Sequence, residues 1–256
     1  MGQQFMFTIL ILEENSMKTV VLGDIHGRSC WKDIVEIEKP QRVVFLGDYV
    51  SSHENVSAEQ QILNLKDILT FKEESEASGL EVILLRGNHD IQHLDRDTCV
   101  CSYFVDVANW MNENRERFLK DTQWVYEDGD IVFSHAGISE CWFKDFRFHS
   151  ISEINNCEGF NAFRFRPAYS FDTYGDSKTQ GPTWIRPQTL LKCAIPNKRY
   201  IVGHTGLTVG LIDLAEYARQ RGVEDVVEGI EIWCCDTLPK QYLVIEDDGK
   251  FNVKNI

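Results

Sequence analysis

Five stretches of this 256-residue chain end in the same way: an apolar, β-branched run, a small residue, then a side chain able to hold a metal ion. Thr19-Val20-Val21-Leu22-Gly23 leads to Asp24 and His26, and Arg42-Val43-Val44-Phe45-Leu46-Gly47 leads to Asp48. Val82-Ile83-Leu84-Leu85-Arg86-Gly87 leads to Asn88 and His89. Ile131-Val132-Phe133-Ser134 leads to His135, and Tyr200-Ile201-Val202-Gly203 leads to His204. Asp24, His26, Asp48, Asn88, His135 and His204 offer carboxylate, amide and imidazole donors and no thiolate. That set suits Mn²⁺, with Fe or Zn²⁺ as alternatives, better than a soft ion. Two aspartates among the donors can supply a bridging carboxylate, so a pair of ions about 3.5–4 Å apart is admissible. Such a pair polarises phosphoryl oxygens and lowers the pKa of a bridging water, which is the chemistry of phosphate ester hydrolysis. Each residue by itself has a plainer role: His135 or His204 as a hydrogen-bonded structural histidine, Asp48 as a helix cap, Asn88 as a turn residue. Their joint placement after five similar runs is what favours a metal site.

The elements that must position these residues can be read from the same runs. Short apolar segments bounded by glycine are expected to be strands buried on both faces. Helices lie between several of them. Ser57 and Gln60 form a capping-box signal, with Ile62, Leu65, Ile68, Leu69 and Phe71 following at helical spacing. Further helices are expected over Phe104 to Leu119 and Leu211 to Arg219. Strands alternating with helices predict an α/β fold with a largely parallel sheet, whose ligands bind beyond the carboxyl ends of the strands. Glycines 23, 27, 47, 87 and 203 allow sharp turns beside the donors.

Composition is that of a globular protein, with 43% hydrophobic and 26% charged residues. The formal charge of −14 weighs against a general nucleic-acid binder or an anionic-membrane partner. Cys30, Cys99, Cys101, Cys141, Cys157, Cys193, Cys234 and Cys235 show no zinc or redox spacing, and as reduced thiols they favour the cytoplasm. Phe5 to Leu12 is apolar but far short of the about 20 residues a membrane helix needs, and it lacks the flanks of a signal peptide. Met17-Lys18 is a plausible alternative start, so residues 1–16 are either an added edge strand or a poorly ordered extension.

At this point the motifs become familiar. Gly23-Asp24-Ile25-His26-Gly27, Gly47-Asp48-Tyr49-Val50, Leu85-Arg86-Gly87-Asn88-His89-Asp90, Ser134-His135-Ala136-Gly137 and Gly203-His204-Thr205 resemble the calcineurin-like metallophosphoesterases. Within them the chain is most similar to the phosphoprotein phosphatase branch of bacterial and phage type. The resemblance runs from about Lys18 to Ile245. It implies an αββα sandwich of two mixed β-sheets over residues 17–256, with a di-metal site at the carboxyl ends of the strands. By it, Asp24, His26 and Asp48 hold one ion, and Asp48, Asn88, His135 and His204 the other. Asn88 also contacts phosphate, and His89 is the acid that protonates the leaving oxygen. The implied substrate is a phosphomonoester, in a phosphoprotein (Ser/Thr) or a small organic phosphate. Hydrolysis of a dinucleoside polyphosphate or a nucleic-acid phosphate end is the alternative. An inactive binding scaffold of the same fold predicts missing ligands, whereas all six are present.

Two positions depart from the family pattern. Ser51 stands where an aspartate normally orients the acid histidine, and Ser52 where an arginine contacts phosphate; His53, Glu54 or Asp90 are candidate substitutes. Arg86 and Arg186 are the candidate phosphate contacts, since a guanidinium offers two parallel donors to a phosphoryl group. Arg186 lies in Gly181-Pro182-Thr183-Trp184-Ile185-Arg186, which resembles the arginine-bearing segment of the bacterial branch. The insertion at about 138–183 is rich in aromatics: Trp142, Phe143, Phe146, Phe148, Phe160, Phe163, Phe165, Tyr169, Phe171 and Tyr174, with Arg147, Arg164 and Arg166 interleaved. It is expected to be a substrate-selecting cap or a helical subdomain with its own small core.

Overall fold

The computed structural model describes residues 17–52, 54–98, 102–166 and 176–256. The N-terminal extension, His53, Cys99, Cys101, Tyr169, Phe171 and Tyr174 therefore lie outside the described residues. The elements run β1 (Thr19–Leu22), α1 (Trp31–Glu38), β2 (Arg42–Phe45), α2 (Ala58–Ser78), β3 (Glu81–Leu84), α3 (Asn88–Leu94), α4 (Val105–Glu113) and α5 (Arg115–Asp121). They continue with β4 (Val125–Asp128), β5 (Ile131–Ser134), α6 (Glu140–Asp145), α7 (Pro187–Cys193), β6 (Arg199–Val202), α8 (Leu214–Gln220), β7 (Glu231–Cys234), β8 (Gln241–Ile245) and β9 (Phe251–Asn255).

The strands form two mixed sheets, ordered β3-β2-β1-β8-β9 and β4-β5-β6-β7. In the first, β1, β2 and β3 are parallel, with Val20 opposite Val43 and Val43 opposite Val82. In the second, β5, β6 and β7 are parallel, with Val132 opposite Tyr200 and Tyr200 opposite Ile232. The five runs thus divide between two sheets, three to one and two to the other. Alternation along each strand explains how the sheets pack. Val21 and Val44 from the first sheet join Phe133 and Ile201 from the second in one inter-sheet cluster. Their neighbours Val20, Leu22, Val43 and Phe45 face the other way and share a core with Trp31 and Ile34 of α1 and Leu65, Ile68 and Leu69 of α2. Four-residue strands carry few ladder hydrogen bonds; burial of each Val, Ile, Leu or Phe, worth about 1.5–3 kcal/mol, is what holds them. The result is the αββα sandwich.

Two helices differ from their expected extents. The segment from Phe104 breaks at Asn114, whose backbone leaves the helical region (φ −108°, ψ 19°) while its side-chain amide donates to the Trp110 carbonyl at 2.9 Å. The helix expected from Leu211 starts only after Asp213, whose carboxylate accepts the Ala215 N–H at 3.0 Å. Within the insertion, Trp142, Phe143, Phe146, Phe148, Phe160 and Phe163 pack into the main core. Trp142 and Phe163 are buried in it, and Phe163 stacks on Trp124 with ring centroids 3.5 Å apart. Asn155 anchors the stretch by accepting the Trp124 and Val125 N–H groups and donating to the Val125 carbonyl. No described helix is long and apolar enough to cross a membrane.

The capping box predicted for α2 is present, with the Gln60 N–H on Ser57 Oγ at 3.2 Å and the Ser57 N–H on Gln60 Oε1 at 3.1 Å. Ser57→Ala should lower the unfolding free energy by about 1 kcal/mol, read as a lower urea midpoint at unchanged m-value. An unchanged midpoint would mean that the cap carries no stability.

Candidate metal centre

The donors collect where the parallel strands of both sheets end. After β1 the chain turns through Gly23 into Asp24 and His26, and this turn hangs on the next one. The Ile25 and His26 N–H groups both donate to the Asp48 carbonyl, at 3.1 and 2.7 Å, and Gly27 N–H to the Tyr49 carbonyl at 2.8 Å. Within the second sheet, Gly203 N–H donates to the His135 carbonyl at 2.8 Å; across the sheets, His204 N–H donates to both Asp24 oxygens at 2.9 and 3.1 Å. His26, Asp48, Ser51 and His204 all hold positive φ, at 46°, 51°, 66° and 62°. Such backbone costs about 1–3 kcal/mol per residue and persists only where the surroundings over-determine it. Here the crossing backbone bonds do so.

Two imidazoles aim ring nitrogens at the carboxylates, and a third meets the Asn88 amide. His26 and His135 donate Nδ1–H to the carbonyls of Val50 and Leu46, each at 2.9 Å, which turns each Nε2 inward. His135 Nε2 lies 2.9 Å from Asn88 Oδ1 and 3.4 Å from Asp48 Oδ2. His204 Nδ1 meets the same Asn88 oxygen at 2.9 Å. His26 Nε2 is 3.9 Å from Asp24 Oδ2. Ligand atoms of Asp24, Asp48 and His135 fall within 4.8 Å of one another. His204 Nε2 is buried and has no hydrogen-bond partner among the described residues. Converging buried oxygen and nitrogen lone pairs, with one ring nitrogen left unsatisfied, fit a site for divalent cations.

The electrostatics agree. Burial opposes charge on His135, but Asp48 and Asp24 raise its pKa to about 10. Burial would raise Asp48, yet His135, His89 and His26 hold it well below the usual carboxylate range. Burial, then Asp236 and Asp48, push Asp24 well above that range. This is a carboxylate cluster whose mutual repulsion a divalent cation relieves.

Asp236 joins this cluster without a glycine-ended run to mark it in the sequence. It follows β7 just as the other donors follow their strands, and burial pushes its carboxyl up while His26 pulls it down. The same run-then-acid pattern is present in Ile232-Trp233-Cys234-Cys235-Asp236, but cysteines stand where the other runs have glycine or serine.

The two arginines part company. Arg86 donates from Nε to Thr122 Oγ1 at 2.7 Å and from Nη2 to the Leu119 and Thr122 carbonyls, both at 2.6 Å. Its guanidinium lies over Trp124 at 4.7 Å, and burial lowers its pKa to about 10. The side chain thus pins the start of the β4 segment to the end of β3, and the phosphate contact expected of it is replaced by a structural one. Arg186 caps α7 and touches the His204 turn, with Nη1 on the His204 carbonyl at 3.3 Å and Thr205 Oγ1 at 3.0 Å. Burial lowers its pKa, while Asp176, Asp24, Asp236 and Asp48 raise it, which places its charge beside the cluster. Ser52 Oγ accepts the Glu54 N–H at 3.1 Å, and Glu54 pairs with Arg28 at 2.8 Å.

A family model described as calcineurin-like phosphoesterase matches residues 17–206. The chain belongs to the calcineurin-like phosphoesterases. It is accordingly a metallophosphoesterase-type hydrolase of phosphoric ester bonds, and the family implies divalent metal ions. Among solved structures, this phosphoesterase is similar to a cold-active protein-tyrosine phosphatase of a psychrophilic Shewanella species, with a TM-score of 0.59 at 17% identity over 93% of this chain and 80% of that one. A second cold-active protein tyrosine phosphatase structure gives a TM-score of 0.56 at 17% identity, over 93% of this chain and 78% of that one. These likenesses show the fold. No curated protein sequence matches the chain.

Two predictions follow from the packing around the donors. Gly87 has an ordinary φ of −95°, but a Cβ there would overlap the Asp48 carboxylate. Gly87→Ala should displace Asp48, lower bound metal per chain, and cost on the order of 10²-fold in kcat/KM, as a 1 Å misplacement does. Full metal content and turnover in that variant would show that the contact does not set the site. For Arg86→Met, buried carbonyls lose their donors, so stability should fall by about 1–3 kcal/mol in denaturant unfolding. Its kcat/KM should stay within about threefold, whereas loss of a transition-state contact would exceed that.

Proposed function

We propose that the chain is a two-metal phosphomonoesterase, akin to the phosphoprotein phosphatases of bacterial and phage type, acting on phosphoprotein (Ser/Thr) or small organic phosphates with Mn²⁺. One observation carries the reading: Asn88 Oδ1 lies 2.9 Å from a ring nitrogen of both His135 and His204, at the edge of the Asp24–Asp48–His135 cluster. In this reading Asp24, His26 and Asp48 hold one ion, and Asp48, Asn88, His135 and His204 the other, with Asp48 shared. When bound, the ions supply Lewis-acid polarisation of the phosphoryl group and lower the pKa of the attacking water.

The chain's own residues do the rest. Arg186, anchored through Nη1 on the His204 turn, offers its remaining N–H donors to phosphoryl oxygens. Its placement near Asp24 and Asp48 supports this role. His89 is held by its own N–H on Asp48 Oδ1 at 2.8 Å, with its ring edge-on to His26 at 5.5 Å. From there its ring N–H donates to the leaving oxygen as the P–O bond breaks. Asp90, a candidate substitute at the departed position, is engaged with backbone: its oxygens accept the N–H groups of Gly87, Asp48 and Tyr49.

The test is metal analysis of the purified protein and a substrate panel in Mn²⁺: a phosphoserine peptide, a small organic phosphate and diadenosine tetraphosphate. Release of inorganic phosphate from the monoesters is expected, and turnover confined to the dinucleotide would overturn the reading. Arg186→Ala should cost about 2–4 kcal/mol of transition-state stabilisation at unchanged metal content. A kcat/KM within about threefold of wild type would return Arg186 to a structural role.

A further inference from the structure

The acid histidine has a partner that is not a carboxylate. Gln92 lies one helical turn beyond His89 on α3, on the same face. Its side-chain Nε2 is 3.0 Å from His89 Nδ1 and 2.9 Å from Ser51 Oγ. All three residues are buried, Ser51 at 0%, Gln92 at 1% and His89 at 8% exposure. Ser51 is itself fixed, at φ 66°, by its N–H on Gln61 Oε1 at 2.7 Å, and Gln61 in turn donates to the Val56 carbonyl at 2.9 Å. A line of hydrogen bonds therefore runs from α2 through the turn after β2 to the ring of His89.

We infer that Gln92, steadied by Ser51, is the positioning residue of His89: its amide N–H fixes the plane of the ring and the tautomer that it presents to substrate. The polarity of the contact decides the outcome. An amide NH₂ has two hydrogens, so one nitrogen serves both Ser51 Oγ and His89 Nδ1. A neutral imidazole that accepts at Nδ1 carries its proton on Nε2. A carboxylate has no hydrogen to give and would select the opposite tautomer. Ser51 and Gln92 together thus fix the ring where the related motif has aspartate, but with the other tautomer: a neutral imidazole whose Nε2–H, turned away from Gln92, is the hydrogen-bond donor presented to the leaving oxygen. The inference rests on His89 being the acid of the proposed reaction.

The experiment compares wild type, Gln92→Met, Ser51→Gly and His89→Asn on a phosphoserine peptide and on p-nitrophenyl phosphate. An alkyl leaving group needs its proton during cleavage and an aryl oxide does not. Gln92→Met, similar in length but without a donor, should lower the ratio of kcat/KM for the peptide to that for the aryl ester by about 10- to 100-fold, as loss of an orienting partner does. The fall should lie in kcat and not in KM. Ser51→Gly keeps the left-handed turn and should shift the ratio in the same direction by less. The ¹⁵N imidazole spectrum of the zinc-loaded protein gives the independent readout. His89 should show a bare Nδ1 and a protonated Nε2, moving toward the tautomer average in Gln92→Met. Equal losses on both substrates, or an unmoved His89 spectrum, would overturn the inference while leaving the acid assignment intact. A His89→Asn variant with an unchanged ratio would overturn both, by removing the acid itself.

Discussion

Two turns, one after β2 and one after β3, press against each other more closely than side chains allow, and a buried carboxylate holds them there. Asp90 Oδ2 accepts the N–H groups of Gly87 and Asp48 at 2.8 and 2.9 Å, and Oδ1 accepts that of Tyr49 at 2.8 Å. Burial and the nearby charge of Asp48 push this carboxyl up to about 7, and the N–H donors pull it down. Much of the centre depends on that junction. It sets where Asp48 stands; the carbonyl of Asp48 then fixes the turn carrying Asp24 and His26, and its side chain receives the N–H of His89. A glycine at position 87 is the condition for the contact, since any side chain there would occupy the space of the Asp48 carboxylate.

How much of this was legible in the sequence follows from the range of each interaction. The runs before Asp24, Asp48, Asn88, His135 and His204 are local patterns, and so is the Ser57–Gln60 cap; the structure has strands and a capped helix there. The division of the strands into two sheets is not local. Residues such as Val20 and Val21 are buried on opposite faces, so the run carries no periodicity that says which sheet it joins. Arg86 and Arg186 look alike as sequence; what separates them is whether Leu119 and Thr122, or the His204 turn, comes to meet the guanidinium. Gln92 is not legible as sequence, because an uncharged amide one turn beyond a histidine is ordinary helix surface until Ser51 is folded against it. The break at Asn114 depends on backbone geometry that helical spacing does not report.

Charge is handled differently at the two ends of the strands. Where β2, β3 and β6 begin, charges are paired: Arg42 with Glu81 and Asp128, Lys198 with Glu127, Arg199 with Asp130. Arg42 and Asp128 belong to different sheets, so this pairing also ties the sandwich together. Where the strands end, Asp24, Asp48 and Asp236 crowd together with His135 and Arg186 as the nearby positive groups. In a chain of formal charge −14 this asymmetry concentrates attraction for cations at one rim.

Asp24, Asp48 and Asn88 follow strands of the first sheet, whereas His135 and His204 follow strands of the second. An ion gripped by both groups would act as a rivet through the open end of the sandwich, opposite the Arg42–Asp128 tie. Thermodynamic reciprocity then makes two quantities one: whatever wedges the sheets apart loosens the ion, and by the same free energy the ion resists the wedge. Substitutions in the layer of Val21, Val44, Phe133 and Ile201, none of which offers a donor atom, would thereby become adjustments of metal affinity.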